Sequence, residues 1–302
     1  MNALSGVFPV IPTPFTTDGA IDPLALKPLI DFVVQSGADG LVYPGMASEV
    51  ETLSPDERGT MVRALGAALD GRLSFIVGAS DANPEQAAAR AEEGRAVGAS
   101  AAMIMAPAHC GRDIPAHVAF YSAVAEKTSL PLMMQNAPAP MGAGLNPSEV
   151  SEIIKSVPQI YFVKEETLPC GQNISQIMSS PCAQLQSVFG GAGARYLIDE
   201  LSRGAAGTMP AVELTDVHVK IVKAWRNGDH SQARQLYSRT LPLLLFQQIF
   251  RVHLTKAVLS ARGLLASRFV RAAGPKFDAN DERECQALIA EASDLFYQFQ
   301  VR

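Results

Sequence analysis

Short apolar runs alternate with longer amphipathic stretches from the start of the chain to Ala211. The runs at 7–12, 40–44, 73–77, 101–105, 131–135, 160–164, 186–189 and 206–209 have strand length. They lack the two-residue alternation of a half-exposed sheet, so they read as strands buried on both faces. The intervening stretches at 23–36, 55–69, 84–97, 115–127, 147–155, 174–178 and 194–203 read as helices. Several open on a capping residue followed by proline at the first helical position, as in Ser54-Pro55-Asp56-Glu57 and Asn146-Pro147-Ser148-Glu149. Glycine ends others, as in Ser36-Gly37 and Val97-Gly98. Eight strands in strict alternation with helices predict parallel β-α-β units, and eight is the number of the (β/α)8 TIM barrel. A doubly wound open sheet is the alternative, but no Gly-x-Gly-x-x-Gly follows the first run.

The pattern changes after about Asp216. Stretches 218–227, 230–248, 252–262 and 280–299 are helical with no strand between them. The expected organisation is a barrel over 1–215 and a C-terminal helical extension over 216–302, packed on it as one folding unit. The methionines at 103, 105, 133 and 134 read as barrel core. Leu241 to Phe246 and Phe250 read as packing the extension onto the barrel or onto a neighbouring subunit.

With 48% hydrophobic and 18% charged residues, the chain has the make-up of a soluble enzyme with a large core. Its net charge of −5 and lack of any Lys/Arg-rich block argue against nucleic acid as a partner. No apolar run reaches membrane-spanning length and no signal sequence opens the chain, so a cytoplasmic location is expected. Cys110, Cys170, Cys182 and Cys285 are far apart, without Cys-x-x-Cys spacing. They read as reduced thiols, with neither a disulfide frame nor a zinc site. Five scattered histidines give metal catalysis no support.

Chemistry is concentrated in Ile160-Tyr161-Phe162-Val163-Lys164-Glu165-Glu166. A lysine at the mouth of a buried strand is costly to hold as an ammonium. A neutral amine there would be the nucleophile of Schiff-base chemistry, which asks for a pKa shift of about three units, or ~4 kcal/mol. The segment alone equally admits a lysine that leaves the barrel end to form a solvated ion pair with Glu165 or Glu166. Catalytic groups of such barrels sit at strand C-termini. The second strand ends in Gly45-Met46-Ala47-Ser48-Glu49, whose backbone N–H groups suit a substrate carboxylate. Later strands end in Pro107-Ala108-His109-Cys110, Gln135-Asn136-Ala137-Pro138, Gly190-Gly191 and Gly207-Thr208.

Thr13-Pro14-Phe15, Gly45-x-x-x-Glu49, Asn136-x-Pro138, Val163-Lys164-Glu165 and Lys256…Gly263…Val270-Arg271 stand in an order and spacing that resemble the dihydrodipicolinate synthase / N-acetylneuraminate lyase family of class I lyases. The resemblance spans essentially the whole chain. It implies a (β/α)8 barrel, Lys164 as the Schiff-base lysine, a small 2-oxo acid as substrate and a homo-oligomer, usually a tetramer. The only cofactor-like group it implies is the covalent imine between Lys164 and the substrate.

The chain departs from the family pattern at informative places. The second-strand turn has lost two hydroxyls to Met46 and Ala47, leaving backbone amides and the Ser48 hydroxyl for the carboxylate. The family's tyrosine on the fifth strand is Gln135, and an amide has no accessible pKa for proton transfer. The paired tyrosines after the fourth strand are Ala108 and His109, and the arginine after Asn-x-Pro is Pro140. Aldol cleavage and dihydrodipicolinate synthesis each lose a group they need, whereas β-elimination needs only a base for the C3 proton. Two-residue alternation puts Glu166 on the side of Lys164, making it that base. Gln-Asn-Ala-Pro, Lys-Glu-Glu-Thr and Gly-Thr-Met-Pro-Ala most resemble the 2-keto-3-deoxy-L-arabonate dehydratase branch. The expected catalytic set is therefore Lys164, Glu166 and Gln135. The expected substrate contacts are Met46, Ala47, Ser48, Asn136, His109, Gly190 and Thr208. The competing readings are an aldolase, a dehydratase of a hexose-derived or pyrroline substrate or a dihydrodipicolinate-synthase-like lyase of the same family, and a catalytically silent ligand-binding barrel.

Overall fold

The structure is a computed structural model and describes residues 3–297. Among these, eight strands follow one another: β1 (Gly6–Val7), β2 (Gly40–Tyr43), β3 (Ser74–Gly78), β4 (Ala101–Met105), β5 (Leu132–Asn136), β6 (Ile160–Glu165), β7 (Ser187–Gly190) and β8 (Gly207–Thr208). Between them lie α1 (Leu26–Gln35), α2 (Pro55–Leu69), α3 (Pro84–Ala96), α4 (Ile114–Ala125), α5 (Pro147–Ser156), α6 (Cys170–Ser179) and α7 (Leu197–Ser202). After β8 come α8 (Thr215–Arg226), α9 (His230–Phe250), α10 (Val252–Ala261) and α11 (Ala279–Ala292). The fold is a (β/α)8 TIM barrel with a C-terminal helical extension.

Helix starts follow their capping chemistry. Ser54 accepts the Glu57 N–H at 3.2 Å while the Glu57 carboxylate accepts the Ser54 N–H at 2.9 Å. Asn146 and Glu149 repeat the reciprocal pair at the start of α5.

The ends of several elements differ from the sequence pattern for local reasons. Of the run 7–12 only Val7 joins a strand, as the second residue of β1, because Pro9 and Pro12 have no N–H for a ladder. Val10 alone carries on, as isolated parallel bridges to Val42 and Ala211. Helix α7 starts at Leu197 rather than 194, because Ala192, Gly193 and Ala194 take φ values of 49°, 67° and 62°. Helix α6 starts earlier than expected, at Cys170 directly after Pro169. Helix α11 ends at Ala292, and residues 298 and 299 of the predicted stretch lie outside the described residues.

The chain divides into two compact units. The first comprises Ser74–Met209 and the start of the chain to Gly6. Here β3 to β8 pair in parallel, each with its successor. Its core includes Met103, Met133, Met134, Phe162, Val163 and Val188, all buried. The second unit comprises Val7–Leu73 and Pro210 onward. Its extension packs Leu243, Leu244 and Phe250 of α9 on Leu254 and Val258 of α10 and on Cys285 and Leu288 of α11. Arg262 and Asp216 form a buried ion pair at 2.7 Å in the same unit. Among the described residues no helix is long and apolar enough to cross a membrane, and all four cysteines are free.

Candidate active site

Strand β6 carries Lys164 one residue before its end, with only 5% of the residue exposed. In the parallel register Gln135 stands beside Lys164, and Asn136 beside Glu165. Side chains alternate along each strand, so Gln135, Lys164 and Glu166 share one side while Asn136 and Glu165 face the other. The contacts agree. Lys164 Nζ lies 3.1 Å from Glu166 Oε2, and Gln135 Nε2 donates to the same oxygen at 2.6 Å. The Ala192 N–H donates to Glu166 Oε1 at 2.9 Å. This ion pair is not solvated: the two side chains are 7% and 15% exposed. Burial pushes the Glu166 carboxyl up, but the Lys164 ammonium, the Ala192 amide and Gln135 outweigh it and hold the group below the usual range. A carboxylate restrained by three donors, next to a primary amine, is equipped to take a proton and return it.

The opposite side of the same strands holds a different set. Glu165 accepts from Asn136 Nδ2 at 2.8 Å, from the Thr167 N–H at 2.7 Å and from the Thr167 hydroxyl. Burial pushes its carboxyl up to about 7, against those hydrogen bonds and with help from the Glu166 charge. Asn136 also donates to the Leu145 carbonyl and accepts the Leu145 N–H. Both its N–H donors are thereby spent inside the fold, tying the loop after β5 to the strand. The register places Gly190 and Thr208 at the level of Glu165, and the Thr208 hydroxyl is buried without a hydrogen-bond partner. His109 is exposed, with its ring 3.5 Å from Cys110 Sγ, and lines a surface groove with Pro84, Asp113 and Phe120. Of the sequence-predicted residues of this unit, Lys164, Glu166 and Gln135 are thus brought together.

Gly190 and Gly191 are required for space. A Cβ on Gly191 would lie 2.4 Å from Glu166 Oε1, and one on Gly190 would lie 1.9 Å from Glu200 Oε2. Glu200 of α7 is a further buried carboxyl, not among the residues expected from the sequence. It is fully buried, and neither carboxyl oxygen has a hydrogen-bond partner. Burial first, then the charges of Glu166, Asp199 and Glu165, push it up to about 8. Its signal in the sequence is a carboxyl three residues after Leu197, on the apolar stripe of its helix.

A folded-state pKa raised above the unfolded value near 4.5 confers stability that is complete below pH 4.5 and lost as pH rises through about 8. Glu200→Gln removes this dependence. Between pH 5 and pH 9 the variant is expected to gain about 5 °C in melting temperature relative to wild type. Parallel melting curves across that range contradict the assignment.

In the second unit, the turn after β2 is built from its own side chains. Ser48 Oγ accepts the Gly45 N–H at 2.8 Å and donates to the Ile11 carbonyl at 2.5 Å. Thr13 donates to the Ser48 carbonyl at 2.6 Å and shares a 3.0 Å hydrogen bond with the Tyr43 hydroxyl. The Ser48 hydroxyl is therefore committed to the turn rather than held out for an anion. The N–H groups of Ser48 and Glu49 close turns onto Gly45 and Met46. The amides of Met46 and Ala47, at the start of that turn, make no such bond. Glu49 takes φ 57° and buries its carboxylate completely. It accepts from Lys256 Nζ at 2.6 Å and from the N–H groups of Arg271 and Ala272 at 2.7 Å. Lys256 also donates to the Phe269 carbonyl at 2.7 Å and lies 4.4 Å from the Phe15 ring centroid. Arg271 in turn pairs with Glu57 at 2.7 Å. Phe15, Glu49, Lys256 and Arg271, separate markers in the sequence, are one buried electrostatic clamp.

Among the described residues, no group of three or more His, Cys, Asp and Glu is arranged to hold a metal ion.

The model of the dihydrodipicolinate synthetase family matches residues 3–292 of the chain. An L-2-keto-3-deoxyarabonate dehydratase of Azospirillum brasilense is 29% identical over 294 residues, covering 96% of this chain and 95% of that protein. A 4-hydroxy-tetrahydrodipicolinate synthase of Maridesulfovibrio salexigens is 30% identical over 241 residues, covering 79% of this chain and 81% of the relative. The crystal structure of dihydrodipicolinate synthase from Rhodopseudomonas palustris superimposes with a TM-score of 0.89 at 25% identity, covering 95% of this chain and 97% of that one.

Proposed function

The chain belongs to the dihydrodipicolinate synthetase family, and from that premise we propose that it is a Schiff-base dehydratase of a 2-keto-3-deoxy sugar acid. The substrate we favour is 2-keto-3-deoxy-L-arabonate, converted to 2-oxoglutarate semialdehyde and water. The observation that carries the reading is the site's acid/base inventory. Lys164 meets a carboxylate, Glu166, and the β5 neighbour on the same side is the amide Gln135. Aldol cleavage needs a base on the C4 hydroxyl, and an amide cannot supply one. Elimination needs a base at C3, where Glu166 is available. The dehydratase relative, aligned over nearly the whole of both chains, supports the same choice.

The reaction then runs as follows. Lys164 releases a proton to water, its free amine adds to the C2 ketone, and the added hydroxyl leaves as water with a proton from solvent, giving an iminium. Glu166, ionised throughout, removes a C3 proton to give the enamine. The enamine electrons expel the C4 hydroxyl, which leaves as water with the proton Glu166 holds. Loss of a C5 proton from the conjugated iminium gives a dienamine enol. Protonation at C4 and C3 with loss of the hydroxyl proton gives the aldehyde, and hydrolysis frees the product and Lys164.

A panel of synthetic 2-keto-3-deoxy pentonates and hexonates, assayed for semialdehyde and for pyruvate, tests this reading. Semialdehyde without pyruvate is the expected result, and pyruvate release identifies an aldolase. Glu166→Gln is expected to cut dehydration by about 10²- to 10⁴-fold while still forming the imine. Loss of both imine and turnover contradicts the assigned role.

A further inference from the structure

We infer that Glu200 is a positioning residue for proton transfer, acting on Glu166 through the Gly190–Gly191 backbone. The inference rests on the Schiff-base reading and extends it to a residue outside the reacting side of the sheet.

Two carboxyls flank one short piece of main chain. Glu166 fills the space that a side chain on Gly191 would take, and Glu200 fills the space at Gly190. The next residue, Ala192, supplies the N–H that fixes Glu166 Oε1. That amide is held in a costly conformation, since Ala192 and Ala194 both have positive φ, which disfavours any side chain with a Cβ. Such a turn persists only where its surroundings define it. On the outer side those surroundings include the Glu200 carboxyl, whose helix begins three residues after Ala194.

The charge state of Glu200 matters to this support. The groups around it are Lys164, Glu165 and Glu166 of β6, the buried Cys170 of α6 and, on α7, Asp199, which pairs with Arg203. Uncharged, the carboxyl packs on Gly190 as a space-filling group. Ionised, it is an unpartnered buried anion among other carboxylates, which must draw in water or leave. Either response removes the outer support of the turn, and the Ala192 N–H with it.

Pyruvate in D2O isolates this step without knowledge of the natural substrate. Imine formation followed by C3 proton removal replaces the pyruvate methyl protons with deuterium, which NMR follows. Borohydride trapping on the same samples reads imine formation separately. Glu200→Ala is expected to trap pyruvate with a half-saturation within threefold of wild type, yet to exchange 10- to 30-fold more slowly. Glu200→Gln, uncharged at every pH, is expected to exchange at a rate close to wild type at pH 7. Between pH 7 and pH 9 the wild-type to Glu200→Gln rate ratio should then fall about tenfold. A folded Glu200→Ala with unaltered exchange overturns the inference. Should Glu200→Ala fail to fold, a rate ratio for Glu200→Gln that stays constant with pH overturns it instead. Absence of trapping in wild type removes the Schiff-base reading and this inference together. Trapping with unaltered exchange removes this inference alone.

Discussion

Lys164→Ala is expected to lower turnover on a 2-oxo acid by on the order of 10⁴- to 10⁶-fold while the chain still unfolds cooperatively. Loss of a covalent catalytic group is felt on this scale. Without the amine no imine forms, and the C3 proton keeps the acidity it has beside an ordinary ketone. Glu166 keeps its bonds from Gln135 and Ala192, so losing its counter-ion lowers stability without unfolding the chain. Lys164→Arg is the sharper variant. Its guanidinium preserves a positive charge beside Glu166 but cannot act as a nucleophile, because it stays protonated. An ion pair serving the fold alone would tolerate arginine, whereas Schiff-base chemistry would not. Steady-state assays of both variants, with melting curves to show that each is folded, separate the two roles. Arginine at near wild-type activity contradicts the covalent mechanism.

Lys256→Met is expected to destabilise the protein by about 3–5 kcal/mol, the range for breaking a buried ion pair by removing one partner. The cost arises mostly at Glu49. Its carboxylate is fully buried, and without Lys256 it retains only the Arg271 and Ala272 N–H groups. Methionine fills much of the stem's volume, so packing contributes little. The double variant Glu49→Gln/Lys256→Met should recover part of the loss, because no uncompensated charge remains. Denaturant unfolding of the three proteins measures both effects. A loss below 1 kcal/mol for the single variant means that the clamp does not hold the turn. Loss of activity here should follow loss of fold, and this distinguishes Lys256 from Lys164.

Much of the fold is legible because its signals are local. Ser54-Pro55 and Asn146-Pro147 mark helix starts through hydrogen bonds made within four residues. The β6 run reads as a strand from its own composition, and alternation alone puts Lys164 and Glu166 together. What the sequence hides is set by distant partners or by backbone geometry. The shortness of β1 follows from prolines, which is visible in retrospect, but the late start of α7 follows from positive φ at two alanines. Glu49 and Lys256 are 207 residues apart, and nothing local shows that they meet. In the sequence they are markers of family resemblance, and their physical role appears only in the folded chain. Asn136, adjacent to the reacting residues in sequence, spends its amide on Leu145 and Glu165. Glu200 is hidden for the opposite reason: it is remote from Lys164 in sequence, and its meaning depends on the glycine against which it packs.

The mechanism stands on a covalent bond between Lys164 and the substrate's keto carbon. Borohydride added during turnover, followed by intact-mass and peptide mass spectrometry, detects that bond. The expected result is one reduced adduct per chain on the peptide containing Lys164, in wild type and in Glu166→Gln, and none in Lys164→Ala. An adduct on another lysine, or sustained turnover with no adduct at all, contradicts the mechanism.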